Sequence, residues 1–480
     1  MKRMAANNPL RKIRWVWPEA YMYLYNHYAQ FRRDFEMVSV PAKAPFFITA
    51  DKAYKLYVNG QYVCRGPARG YQSHWPCDEI DLAPYLRKGH NWVAVEGYNP
   101  GISTFQYLHK NLAGLLCAPG KGKLADAWDK SKWIMRRDPA RATQTARLSL
   151  QIDFQEHVDL SKDDYSWITS EKAPEGWHGE IFREKAHNFM GFPFGMPPFD
   201  DVEERGIPFL RESFAVPAGV TSHVVGKNGA DYLTRKNVSW GFIDEAESQS
   251  LVWGDASSVK TRKLENALEI SVEPAGEGQF RAITVFNGEL LFGCLEVEVD
   301  GAQGGEILDF NHYQYLRDGK PQGQFLSPGD GCLAAMANRM KLAPGRNQHE
   351  FFHPIASGHF TLIARDVKAP LTVRIRIRKV GYPFTMTGAF ESSDATLNKI
   401  HAACRHTQQL CALDAYVDTP WREQAQWWGD ARVQARNTFF LDGDARILAR
   451  GVESIAGQEF LNVLTAGHAP TSGTWCILPD

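Results

Sequence analysis

One change of period divides this chain. Up to about residue 383 its apolar residues alternate with polar ones, and from Ser393 onward they recur at spacings of three and four. Strands turn successive side chains to opposite faces, whereas a helix gathers i, i+3 and i+4 onto one. A chain carrying both patterns in separate blocks must join β domains to a helical one. In LTVRIRIRKVGY, Val373, Ile375 and Ile377 fall on one face and the arginines on the other, as in a half-buried antiparallel strand. The stretch FFITADKAYKLYVNGQYVCRGPARGY alternates on both sides of Asn59-Gly60, a dipeptide suited to a tight hairpin. The same rhythm continues through LRKGHNWVAVEGYN. We read residues 1–200 as an N-terminal antiparallel β-sandwich of jelly-roll type, 201–235 as a proline- and acid-rich connector, and 236–385 as a second β-sandwich. Each sandwich is expected to close its own core before residue 383.

In the helical block, Leu397, Ile400, Cys404, Thr407 and Cys411 follow a Ser393 or Asp394 cap, predicting an amphipathic helix with two cysteines in its core stripe. Further helices are expected over 433–440 and 445–460, parted by the Asp442-Gly443-Asp444 turn. Between the first two lies DTPWREQAQWWGD, residues 418–430, with Asp418, Arg422, Glu423 and Asp430 set among Trp421, Trp427 and Trp428. Carboxylates and a guanidinium can hydrogen-bond the hydroxyls of a pyranose, and indoles offer flat apolar faces to its C–H groups. With Thr419 as N-cap and Pro420 in the first helical position, a helix starting there would bring Glu423, Trp427 and Asp430 onto one face. The plainer reading is a helix start whose acids favour the positive end of the dipole and whose tryptophans fill core. Two adjacent tryptophans, the Gly429 break and three carboxylates exceed what packing requires.

The string D-x-P-x-R-E-x-x-x-W-x-G-D resembles the signature of the α-L-rhamnosidases of glycoside hydrolase family 78. In that family a loop at the mouth of an (α/α)6 six-hairpin barrel binds rhamnose and presents the catalytic acid. The resemblance implies that Glu423 is the general acid and that Asp418, Arg422 and Asp430 hold sugar hydroxyls. Trp427 or Trp428 would be the aromatic wall; spacing does not choose between them. ADKAYKLYVNG and GPARG are similar to the galactose-binding-like sandwich that precedes the family's catalytic domain, where a sugar-binding role for Trp75 or Arg69 is set against a structural one. Residues 386–480 would then hold only the first hairpins of the barrel, because about 25 residues are needed per helix with its loop. The implied reaction is inverting hydrolysis of terminal α-L-rhamnosides, the partner being a rhamnose-containing oligosaccharide or glycoside. Inversion needs a general base roughly 6.5–9.5 Å from the acid. Glu453 and Glu459 occupy exposed-looking helix positions, so the base is expected to be missing and the chain inactive by itself. Two other readings stay open, a six-hairpin glycosidase of different sugar specificity and a non-catalytic carbohydrate-binding protein. The intact set of four charged residues argues against the second.

A net charge of −1 without a basic run excludes nucleic acid and anionic membrane as evident partners. The 8 cysteines form no CxxC pair and read as free thiols of a reducing compartment, and the N-terminus lacks an apolar signal core, so a cytoplasmic protein is expected. His401 and His406 stand five apart, the wrong step for two ligands on one helix face. Asp159, Asp163 and Asp164 lack the spacing of a calcium loop. No phosphate-binding, dinucleotide or Gly-x-Ser-x-Gly motif is present, so neither metal nor cofactor is expected.

Overall fold

The computed structural model describes residues 8–18, 25–70, 74–107, 109, 113–181, 201–316 and 334–456. Two sheets face each other in the N-terminal part. One runs in the order Gln61–Gly66, Ala53–Val58, Gly89–Asn99, His27–Met37, Ile134–Arg137, and the other Asp201–Glu204, His74–Asp81, Pro45–Ala50, Leu115–Pro119. Phe31, Phe46, Ile48, Leu56, Val93, Val95 and Leu115 fill the space between them. The hairpin expected at Asn59-Gly60 forms there, with both residues at positive φ (50° and 79°).

The second β region is a larger sheet built on the 24-residue strand Gln279–Ala302, which pairs with Ile355–Arg365 and Leu371–Gly381 along its length. Val373, Ile375 and Ile377 are buried, while Arg374, Arg376 and Arg378 reach Glu298, Glu296 and Glu350 across the sheet. The stretch read as a connector is itself largely strand: Asp201–Glu204 joins the first sandwich, and Arg211–Ala215 and Gly219–Lys227 join the second region. Backbone pairing with far partners, invisible to local periodicity, makes those strands.

The two β regions are stitched together. Glu156–Asp159 pairs in parallel with Asn338–Lys341 at the edge of the larger sheet. Beside it the buried Arg141 binds Glu96, Asp138 and Glu156, and Glu156 also takes His349. Burial opposes ionisation of Glu156, but Arg141 and His349 outweigh it and hold the carboxyl well below its ordinary range. The expectation that each sandwich closes its own core fails: Val158 and Leu160 pack within the core of the larger sheet, and Tyr28 and Tyr98 pack with Phe352. Leu148, Ile152, Phe292 and Val380 pack against Cys411, Leu413, Val417 and Trp421 of the helical part, so this cluster is shared.

Helices are α1 (Lys123–Trp128), α2 (Ser166–Thr169), α3 (Val238–Ser248), α4 (Ala395–Leu410), α5 (Trp428–Leu441) and α6 (Arg446–Ala456). None among the described residues is long and apolar enough to cross a membrane. Asp394 caps α4 by accepting from the Thr396 N–H at 2.7 Å. Most of the predicted stripe of α4 points the other way, however: Leu397, Ile400, Cys404 and Thr407 are exposed and Cys411 at the helix end is buried, whereas Gln408 is buried and bonds to α5. Val433, Phe439, Phe440 and Val452 are exposed as well, and Leu448 is half-buried. Of the expected third helix, residues 457–460 lie outside the described residues, as do Glu459, Cys332 and Cys476. Cys64, Cys117, Cys294, Cys404 and Cys411 are free thiols.

Candidate active site

The chain leaves α4 at Cys411 and enters α5 at Trp428, so residues 418–427 form a loop rather than the helix expected from Pro420. The local signals act for one turn only. Thr419 Oγ1 accepts from the Trp421 N–H at 3.2 Å and its carbonyl from the Gln424 N–H at 3.2 Å, after which Gln424 turns to a left-handed φ of 51°. Asp418 closes the loop: its N–H donates to the Ala425 carbonyl at 2.9 Å and its Oδ1 accepts from the Ala425 N–H at 3.0 Å. An aspartate side chain thus takes the amide that a continuing helix would have used.

This loop gathers most of the predicted residues. Arg422 Nη1 donates to Glu423 Oε1 in a close ion pair, with the Glu423 side chain 12 % exposed. Glu423 Oε2 accepts from the Trp427 indole N–H at 3.0 Å. The Glu423, Trp427 pairing expected from a helix face is therefore made by a side-chain bond across a turn. Asp430 stands exposed in the first turn of α5. Burial pushes the Asp418 carboxyl up to about 6; its backbone N–H bonds and Arg422 pull it down, and Asp430 adds to the rise. The same two aspartates, added to burial, push the Cys411 thiol up to about 12. Asp418 thus lies within the field of both Arg422 and Asp430.

The two adjacent tryptophans separate. Trp427 is half-buried, with Phe105 of the N-terminal sandwich edge-on at 5.9 Å. Trp428 is 2 % exposed and packs in a core cluster with Tyr382, Phe384, Ala431 and Ile447, whereas of the two alternatives for the aromatic wall it is Trp427 that is half-buried beside Glu423. Trp75 is buried with its indole N–H on the Ala50 carbonyl, and Arg69 is buried in an ion pair with Asp414; neither offers a lectin surface. His406 bonds the Leu290 carbonyl and His401 lies against Phe390, and among the described residues no three His, Cys, Asp or Glu gather to hold a metal. Asp159, Asp163 and Asp164 accept turn N–H groups from Ser161, Tyr165 and Ser166.

Sequence reasoning missed the partners that hold this loop. Arg69 donates to the Gln424 carbonyl at 2.9 Å, Gln106 to the Gln424 side chain at 2.6 Å, and Ser149 Oγ to the Arg422 carbonyl at 2.5 Å. Only the GPARG string marked one of them. Behind the loop is a cavity of about 160 Å³, walled by Lys52, Gln106, Asp153, His353, Asp414 and Gln424.

Residues 385–476 match the model of the bacterial α-L-rhamnosidase six-hairpin glycosidase domain. No curated protein matches the chain. Among solved structures it is similar to the family 78 rhamnosidase of Bacillus sp. GL1, at 19 % identity and a TM-score of 0.74, over 94 % of this chain and 63 % of that one. It is also similar to the α-L-rhamnosidase of Dictyoglumus thermophilum, at 14 % identity and a TM-score of 0.61, over 94 % and 45 %. A third is the Streptomyces avermitilis α-L-rhamnosidase complexed with L-rhamnose, at 17 % identity and a TM-score of 0.56, over 90 % and 36 %. The chain thus spans less than two thirds of the length of each of these enzymes. The loop and its helices fall within the matched segment: residues 385–476 match the bacterial α-L-rhamnosidase six-hairpin glycosidase domain, on a chain whose fold is similar to that of the family 78 rhamnosidase over the part it spans.

Proposed function

We propose that this chain is a glycoside hydrolase of the α-L-rhamnosidase type, acting on terminal α-L-rhamnosides by inversion, with residues 386–480 supplying the acid-bearing first hairpins of an (α/α)6 barrel. The observation that carries this reading is the meeting of Asp418, Arg422, Glu423, Trp427 and Asp430 at one loop and helix start. Glu423 is the general acid that protonates the leaving oxygen. Asp418, Arg422 and Asp430 take ring hydroxyls, and the half-buried face of Trp427 receives the sugar's C–H side. In the free protein Arg422 and Trp427 occupy the Glu423 carboxylate; sugar binding draws Arg422 away to a hydroxyl and frees an oxygen for the glycosidic bond.

The base an inverting reaction needs has no candidate among the described residues after the loop. Asp442 is tied to Thr385 and Met386, Asp444 to Tyr382 and Arg446, and Glu453 is exposed on α6. The test is therefore binding first and turnover second. L-Rhamnose should perturb the tryptophan fluorescence of the purified chain, and Asp418→Ala or Asp430→Ala should weaken that response while Glu423→Gln leaves it. A chain indifferent to L-rhamnose but responsive to another monosaccharide would replace the sugar assignment; indifference to all would remove the reading. Where turnover is measurable, proton NMR of the first product should show the β-anomer.

A further inference from the structure

Glu423 projects from a loop, and a loop holds a side chain to catalytic tolerance only if something outside it fixes the backbone. Here the carbonyls of the residues on either side of Glu423 are both held by groups from the N-terminal half of the chain. Ser149 Oγ donates to the Arg422 carbonyl at 2.5 Å and Arg69 Nη1 to the Gln424 carbonyl at 2.9 Å. Neither donor is free to wander. Ser149 is 2 % exposed and its oxygen also accepts from the Gln151 and Ile152 N–H groups at 3.1 and 3.3 Å. Arg69 is 8 % exposed and grips Asp414 through its backbone N–H, Nε and Nη2 at 2.6, 2.9 and 2.8 Å. Its own carbonyl accepts from Arg450 of α6 at 2.7 Å, which ties the same residue to a third element. Gln106, whose Oε1 accepts from Lys52 at 3.1 Å, adds a bond to the side chain of the left-handed Gln424.

We infer that Arg69 and Ser149 are positioning residues for Glu423, so that the N-terminal sandwich is part of the catalytic apparatus and GPARG is a clamp on the acid-bearing loop. The inference rests on Glu423 being the proton donor, but its mechanical half does not. With either bond removed, the peptides that set the Cα–Cβ direction of Glu423 can tilt, and a displacement of about 1 Å at a reacting group costs on the order of a hundredfold in rate. Lysine at 69 keeps the charge opposite Asp414 yet lacks the fork that reaches the carboxylate and the carbonyl together.

The experiment uses the full chain with Ser149→Ala, Arg69→Lys and the two combined. Hydrogen exchange at the amides of 422–427 should quicken at least tenfold in each variant, while α4 and α5 amides and the melting temperature stay near wild type. Unchanged exchange in the loop, or an increase spread evenly over α4, α5 and α6, would overturn the clamp. In the form of the enzyme that turns over, aryl α-L-rhamnosides with leaving groups of graded acidity provide the second readout. The variants should lose kcat tenfold to a hundredfold on poor leaving groups, much less on activated ones, with KM nearly constant; equal losses across the series would reject a role through Glu423. Lack of rhamnoside hydrolysis by every form would sink the proposed function while the exchange result still decides the clamp.

Discussion

Replacing Asp418 by asparagine is expected to make the protein more stable at neutral pH, at the expense of sugar recognition. Burial lifts the Asp418 carboxyl from 3.8 to about 6, against the pull of its N–H bonds and Arg422 and with the help of Asp430. A carboxyl raised by folding is one the fold prefers protonated. The stability it contributes is therefore full below pH 3.8 and is lost as the pH climbs through about 6. That rise corresponds to a cost of about 3 kcal/mol at pH 7.5 and about half of that at pH 5. Asparagine carries no charge and retains an Oδ1 to accept the Ala425 N–H, so it escapes the cost and keeps the loop-closing bond. Relative to wild type, Asp418→Asn should gain about 1–2 kcal/mol more at pH 7.5 than at pH 5. Urea unfolding followed through tryptophan fluorescence at the two pH values measures the difference. A variant advantage that is equal at both, or greater at pH 5, would refute the argument that an ionised, partly desolvated Asp418 is held at a loss. Under the proposed function the same variant should bind L-rhamnose more weakly, a trade of stability for recognition.

The adjacent tryptophans give opposite expectations. Trp428→Ala should lower stability by about 3–5 kcal/mol in a urea titration because it empties a core site, whereas Trp427→Ala should cost much less stability but reduce the fluorescence response to L-rhamnose about tenfold or more. Glu423→Gln should leave L-rhamnose affinity nearly intact and lower kcat with little change in KM, least on rhamnosides with highly acidic phenolic leaving groups; equal losses on all substrates would remove Glu423 from the donor role. A chain cut after residue 383 should keep both main β cores but expose Leu148, Ile152, Phe292 and Val380, so it should bind a hydrophobic dye and self-associate. A fragment that stays monomeric and dye-free would show that the shared cluster collapses on itself.

Short-range patterns in the sequence were sound wherever partners are close or where one face simply meets a core. Asn59-Gly60 makes its hairpin, the Val373, Ile375, Ile377 face is buried, and Asp394 caps α4. Within 418–430, Arg422 pairs with its neighbour Glu423 and, with Asp430, acts on Asp418. The failures share a cause. A helix from Pro420 has good local credentials, yet Arg69 and Ser149, hundreds of residues upstream, pull the flanking carbonyls into a loop. Likewise Asp201–Glu204 and Arg211–Ala215 are strands only because distant edges receive them. The outward stripe of α4 shows the reverse case, in which a regular apolar spacing does not by itself say which side meets the rest of the molecule.

The parallel pairing of Glu156–Asp159 with Asn338–Lys341 has a consequence for how the chain emerges from the ribosome. Asp159 and its partner Lys341 are 182 residues apart. At a synthesis rate of about 5–20 residues per second, the earlier strand waits roughly 10–40 s for the later one. For that interval the N-terminal sandwich carries a segment with open backbone groups and a buried-to-be Glu156 whose neighbour His349 has not been made. Nascent chains stalled between those two points are therefore the forms most exposed to aberrant strand pairing and to chaperone capture, and the larger sheet cannot be completed before the strand Leu371–Gly381 has been made.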